Sequence, residues 1–178
     1  MKPLKLIVNQ NISLKEIGFE YLRPIYYIID NQREYLSEWL FFVDLTTDLS
    51  YTNQFIESYL NSDRINLTMA ISFNKQFVGI IGLKDSDLEN KKTEIGYWIS
   101  EKYQGNGIVT LACKALIDYA FNSLNYNRIQ IKAATLNLKS RKIPERLNFS
   151  FEGIERDGEL HKHGFVDLAI YSLLKNEF

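Results

Sequence analysis

The chain has 178 residues, 46% of them hydrophobic, and a formal net charge of −1. That composition folds rather than staying disordered, suits one domain over residues 1–178, and sets up no global field for nucleic acid or an anionic membrane surface. One cysteine, Cys113, excludes an internal disulfide and a Cys-rich zinc site.

At the amino end, Met1–Asn9 has too short an apolar run for a signal peptide, and nowhere does the chain approach the ~20 apolar residues of a membrane span. The expectation is a soluble, cytoplasmic protein with no membrane partner. Residues 4–8 and 12–17 read as a short strand pair about the turn Asn9-Gln10-Asn11. From Phe19 the apolar spacing lengthens. Tyr21, Leu22, Ile25, Ile28 and Ile29 form a helical stripe, with Pro24 near the helix start because it has no amide hydrogen. Trp39-Leu40-Phe41-Phe42 is ambiguous. Residues 51–61 read as a second helix with Phe55, Ile56, Tyr59 and Leu60 on one side.

The period then drops to two. LTMAISF (67–73) and QFVGIIGL (76–83) flank Asn74-Lys75, a hairpin turn, and TEIGYWIS (93–100) is a third strand. Residues 107–121 read as a helix, RIQIKAA (128–134) as a strand and 137–147 as a helix. FEGIERDG and GFVDLAIYSLL close the chain as strands joined by a polar turn. The 11 Tyr and 11 Phe residues fit a substantial sheet. Early helices, a hairpin sheet and two strand–helix units predict an α+β fold rather than a doubly wound parallel one.

Gln104-Gly105-Asn106-Gly107 opens the helix of residues 107–121. A helix start leaves amide hydrogens unpaired and carries partial positive charge, and glycines let a ligand approach the backbone. This is a credible anion site, although many strand–helix turns hold two glycines and no ligand. It is not a P-loop, because Ile108-Val109-Thr110 follows Gly107 with no lysine. It is not a dinucleotide fingerprint, because Thr110 stands where the third glycine belongs. Ile108, Leu111, Ala112, Ala115, Leu116 and Tyr119 are expected to face the sheet. Thr110, Lys114 and Asp118 lie on the exposed side with Lys114–Asp118 as an ordinary surface pair. Cys113, at the edge of the apolar face, reads as a small packed hydrophobe.

EIGYWISEKYQGNGIVTLACKALIDYAF together with NLKSRKIPERLNFSFEG resembles the Gcn5-related N-acetyltransferases, and among them the RimJ/RimL-type ribosomal-protein serine/alanine group. The resemblance runs over about residues 67–174, and Trp39-Leu40-Phe41-Phe42 also resembles that group. It implies a mixed, mostly antiparallel central sheet with helices on both faces, splayed between strands 94–100 and 128–134. It implies acetyl-coenzyme A as cosubstrate, with no metal. The backbone amides across Gln104, Gly105, Asn106, Gly107, Ile108, Val109 and Thr110 would hold the pyrophosphate, and the pantetheine arm would pair with the strand through Trp98 and Ile99. The family turn reads Q/R-x-x-G-x-G/A, and Lys102 departs from its first place; phosphate binding through backbone survives that change. Asn137 would cap its helix or contact the pantetheine. Many relatives place an acidic tyrosine four residues after Ser140. Here that position is Pro144, which donates nothing, so the role of hydrogen bonding the departing thiolate falls to Ser140. The family's Leu-Gly-Phe appears as Leu147-Asn148-Phe149, and Asn tolerates a left-handed helix stop.

The implied reaction is direct attack of a primary amine on the thioester, with a protein N-terminal α-amino group of the ribosomal-protein type as acceptor. A small-molecule amine acceptor and a non-catalytic acyl-coenzyme A module are the alternatives. Glu94 is the candidate base, on the strand face it shares with Gly96 and Trp98, and a backbone amide near Ile99 is the candidate oxyanion donor. Trp39, Phe41 and Phe42 are candidates for an acceptor wall, with core packing the equal alternative. His161 and His163 read as a polar turn or as the acceptor entrance, since two histidines without a third ligand make a poor metal site. A homodimer is compatible with the resemblance.

Overall fold

The structure is a computed structural model and describes residues 3–178. Among the described residues eight strands form one sheet: β1 (Lys5–Ile7), β2 (Ile12–Glu16), β3 (Leu67–Phe73), β4 (Gln76–Asp87), β5 (Lys92–Ile99), β6 (Arg128–Ala134), β7 (Ser150–His161) and β8 (Gly164–Leu174). Their spatial order is β1-β2-β3-β4-β5-β6-β8-β7. All neighbours are antiparallel except β5 and β6, which run parallel. Helices α1 (Leu22–Asn31), α2 (Arg33–Ser37), α3 (Phe42–Leu45) and α4 (Leu49–Leu60) cover one face. Helices α5 (Ile108–Asn122) and α6 (Leu138–Arg146) cover the other. The mixed, mostly antiparallel α+β architecture expected from the sequence is the one found.

Two cores result, because alternate strand residues point to opposite faces. Met69 and Ile71 of β3 pack towards α5, whereas Ala70 packs towards α1–α4. A bulge in β4 breaks the alternation. Pairing runs from Ile71↔Gly79 to Ser72↔Phe77 and skips Val78. Val78 and Ile81 therefore share the α5 side although they are three residues apart. The turn between β3 and β4 has Asn74 and Lys75 at φ 49° and 66°, the positive values a two-residue type I′ hairpin needs.

The helices follow their sequence signals with three corrections, in α4 and α5. Pro24 sits in the first turn of α1, where its missing amide costs nothing, and Ile25, Ile28 and Ile29 are buried. Of the ambiguous Trp39–Phe42 run, Trp39, Leu40 and Phe41 lie in the turn between α2 and α3, and Phe42 opens α3. α4 is capped by Asp48, whose Oδ1 accepts from the Ser50 amide at 2.7 Å. It buries Thr52, Ile56 and Tyr59 and leaves Phe55 exposed, against expectation. In α5 the buried face holds Ala112, Cys113, Leu116, Ile117, Ala120 and Phe121, while Leu111 is 40% exposed. Cys113 is thus central to the face, not at its edge. The helix carries so few polar residues that periodicity alone places its buried face only to within a residue. The expected Lys114–Asp118 pair does not form; Asp118 accepts from Asn122 Nδ2 at 3.0 Å.

The three strands β6, β8 and β7 are stitched by one carboxylate. Glu152 of β7 accepts from Arg128 Nη1 of β6 at 2.7 Å and from Ser172 Oγ of β8 at 2.7 Å. The Arg128 hydrogen bond is the main cause that holds the Glu152 carboxyl down at about 2. A folded-state value below the unfolded one stabilises the protein above the ordinary carboxylate range, and that gain fades as pH falls through the folded value. Glu152→Gln should therefore lower Tm at neutral pH, and the difference from wild type should shrink between about pH 5 and about pH 2 in acid thermal melts.

Candidate active site

β5 and β6 pair only at Lys92↔Arg128, Thr93↔Ile129 and Glu94↔Gln130. Beyond Glu94 they part, and the edge of β5 from residue 95 to 99 faces an opening. Which backbone groups face it follows from the β4 register. Ser100 N–H donates to the Val78 carbonyl at 2.8 Å, and Trp98 stands opposite Ile80. Hydrogen-bonded positions alternate along an antiparallel pair, so Trp98 is committed to β4, and Tyr97 and Ile99 present N–H and C=O to the opening. This corrects the expected backbone role of Trp98. Its indole packs on the other face, 6.1 Å from the Phe77 ring at 80°. Gly79 holds β4 close on that side: a Cβ there would lie 2.2 Å from the Trp98 carbonyl oxygen. The Ile99 carbonyl accepts from the Tyr35 hydroxyl at 3.2 Å. That leaves the Ile99 amide and both Tyr97 groups for an extended ligand.

At the end of β5 the chain turns into α5. Gly105 and Gly107 have φ 75° and 69°, left-handed values that favour glycine, and a Cβ at either would meet open space. Conformation rather than crowding therefore selects them. Asn106 braces the turn by donating from Nδ2 to the carbonyls of Tyr103 at 3.2 Å and Gln104 at 3.0 Å. No backbone carbonyl among the described residues accepts from the amides of residues 105–110. These amides lie at the positive end of a 15-residue helix, where an anion is favoured. Gly107, Ile108, Val109 and Thr110 all line the cleft beside it. The Gln104 side chain is engaged elsewhere: it donates to the Tyr35 hydroxyl and accepts from Lys139 Nζ at 3.0 Å.

α6 forms the opposite wall. Asn137 caps it, with Oδ1 accepting from the Ser140 amide at 3.0 Å. Arg141 ties the helix to the sheet through the Tyr171 hydroxyl at 3.0 Å and the Thr135 carbonyl at 3.1 Å. Ser140, half-buried, then points at the opening, with its Oγ 3.2 Å from the Tyr97 hydroxyl. The helix is short and contains Pro144, and it stops where Asn148 takes φ 60°, the left-handed stop expected there.

A cleft of about 1780 Å³ runs through the opening and reaches both faces of the sheet. Trp39, Phe41 and Phe42 line its far end, and Phe41 is exposed. The histidines part company there. His163 is an exposed turn residue. His161 is instead the last residue of β7 and is buried. Its Nε2 lies 2.9 Å from Glu159 Oε2, and its ring meets Trp39 edge-on at 6.5 Å. The polar-turn reading of His161 is thereby corrected. A bulge between Glu155 and Glu159 hides the strand alternation that would have extended β7 to it. Glu94 is buried on the same cleft, ion-paired with Lys84 Nζ at 2.8 Å and 3.4 Å from Gln130 Nε2.

An open parallel seam, an amide cradle and a capped helix with an inward serine coincide with one sequence family. Residues 14–150 match the family model described as "Acetyltransferase (GNAT) domain". The chain belongs to this family of acetyltransferases. It is similar to the "Putative ribosomal N-acetyltransferase YdaF" of Bacillus subtilis (strain 168), at 37% identity over 96% of this chain and 95% of the relative. Among solved structures it resembles a "Probable acetyltransferase", with TM-score 0.93 and 35% identity over 98% of this chain and 99% of the other. It also resembles the microcin C7 self-immunity acetyltransferase MccE in complex with acetyl-coenzyme A and AMP, with TM-score 0.88 and 27% identity over 94% of each.

The one thiol stands apart from this site. Cys113 is fully buried in the α5 core, and burial pushes its pKa far up. Thiolate chemistry at Cys113 is closed off while the fold is intact. Intact-mass measurement after iodoacetamide treatment should show no adduct on the native protein and one adduct in denaturant.

Proposed function

We propose that this acetyltransferase uses acetyl-coenzyme A to acetylate the α-amino group at the N-terminus of a protein, of the ribosomal-protein type, in the cytoplasm. The observation that carries the reading is the amide cradle at the head of an open β5 edge, inside a cleft that passes through the sheet. Cosubstrate and acceptor can then approach from opposite faces. The similarity to the ribosomal N-acetyltransferase of Bacillus subtilis supports the acceptor class, and the acetyl-coenzyme A complex of the MccE structure supports the cosubstrate.

The amides of residues 105–110 hold the pyrophosphate, and Tyr97 and Ile99 hydrogen-bond the pantetheine as an added strand would. The thioester supplies an activated acetyl group. The acceptor nitrogen bonds to its carbonyl carbon, the C–S bond breaks, and the electron pair leaves on sulfur. The Ile99 amide donates to the oxyanion, and the Ser140 hydroxyl donates to the thiolate. An α-amino group with pKa ~7.7–8.0 is already partly neutral near pH 7, so a modest base acting through water suffices.

Glu94 fills that role in our reading. The Lys84 ion pair at 2.8 Å favours a second reading, because it already engages one Glu94 carboxylate oxygen. In that reading the proton goes to His161, an imidazole backed by the Glu159 carboxylate at 2.9 Å on the acceptor side. Removing the base leaves the amine to deprotonate alone, which moves the acid limb of the kcat/KM profile to higher pH. Glu94→Gln should produce that shift. A shift in His161→Gln with none in Glu94→Gln assigns the proton to the histidine pair.

The acceptor class is tested by mass spectrometry of products from peptides with free N-termini, the same peptides Nα-blocked, and a polyamine. Acetylation of the free peptides alone is expected. Acetylation of the polyamine alone would make this a small-molecule enzyme. Binding of acetyl-coenzyme A without turnover on any amine would make it a cofactor-sensing module.

A further inference from the structure

Tyr97 belongs to the EIGYWI segment, yet no step above uses its side chain. Its hydroxyl lies 3.2 Å from the backbone carbonyl oxygen of Ser140 and 3.2 Å from Ser140 Oγ. Both distances exceed the ~2.7–2.8 Å of a single well-made O–H···O bond, as one proton shared between two acceptors requires. The carbonyl is open to this contact because of Pro144. In a regular helix it would accept from the amide four residues on, and residue 144 has no amide hydrogen. The carbonyl can only accept, so it draws the Tyr97 proton towards Ser140 and fixes the phenol beside Oγ.

We propose that Tyr97 is a positioning residue for Ser140: held by the carbonyl that Pro144 leaves unpaired, it donates to Ser140 Oγ and leaves the serine proton for the departing thiolate. A serine hydroxyl has one proton, and a neighbour that must accept it would turn it away from sulfur. Burial raises the Tyr97 pKa far above the ordinary phenol range, so the group keeps its proton and acts as a donor. Neither hydroxyl transfers its proton. Two hydrogen bonds in series polarise one another, and the sulfur leaves as a thiolate stabilised by the second. The proline that removes the tyrosine acid of many relatives thus recruits a tyrosine from the neighbouring strand instead.

The proposal rests on the Ser140 role given above, and the experiment separates the two. Tyr97→Phe, Ser140→Ala and the double variant are compared in steady state with acetyl-coenzyme A. Tyr97→Phe is expected to lower kcat about tenfold while KM for acetyl-coenzyme A stays within about twofold. In the Ser140→Ala background the same change should cost less than about twofold, because its effect passes through the serine. An equal loss in both backgrounds, or wild-type kcat in Tyr97→Phe beside a slow Ser140→Ala, overturns the Tyr97 proposal and leaves Ser140 standing. Wild-type kcat in Ser140→Ala overturns both. Thermal melts test the carbonyl contact independently. Tyr97→Phe should lower Tm in the wild type and lower it less in Pro144→Ala, where an amide again serves the Ser140 carbonyl. Equal losses overturn the role given to Pro144.

Discussion

The parallel pairing of β5 and β6 ends after three residue pairs, and the site is built on that ending. β5 is held along its other edge by β4, and β6 is held by β8 over seven pairs, Arg128↔Leu174 to Ala134↔Leu168. Neither strand can follow the other once they diverge. The divergence leaves peptide groups of Tyr97 and Ile99 without strand partners, an arrangement a folded chain tolerates only where water or a ligand serves them. In the proposed function, an extended, amide-bearing ligand completes the sheet there.

The same opening organises the charges. On the α5 side, the left-handed glycines and the helix start concentrate amide hydrogens where an anion belongs. On the α1–α4 side, carboxylates and the Glu159–His161 pair border the cleft near Trp39, the side proposed for the amine. In the proposed reaction the two reactants meet across the sheet, so neither has to leave for the other to enter. The β7–β8 hairpin makes this possible by reaching from the far edge of the sheet back to the residues after α2. The His161 Nδ1 contact to the Glu38 carbonyl at 3.4 Å marks the meeting point.

Much of this was legible in the residues. Every strand and long helix announced itself by period, and the glycine turn announced itself by composition. Asn137 and Ser140 stood together because a cap and the first helical turn are local in sequence, and the left-handed stop at Asn148 followed from the same locality. The errors lie where locality fails. The buried face of α5 was misplaced by a residue because the helix is apolar almost all round. His161 reads as a turn residue because a bulge masks its strand. The backbone role expected of Trp98 falls to Tyr97 by the β4 register, since alternation shows which groups share an edge but not which edge is occupied.

What the sequence determined by itself is the set of local conformations: caps, turns, periods, and a proline that leaves one helix carbonyl unpaired. These depend on side chains within a few residues of one another. What only the tertiary structure decided is which distant groups meet. Tyr97 reaches the Ser140 carbonyl 43 residues away, Lys84 neutralises Glu94, and His161 packs on Trp39. Such meetings are set by strand order and by the point at which two parallel strands part. That point depends on the pairing of each strand with its other neighbour, which no local stretch of residues encodes.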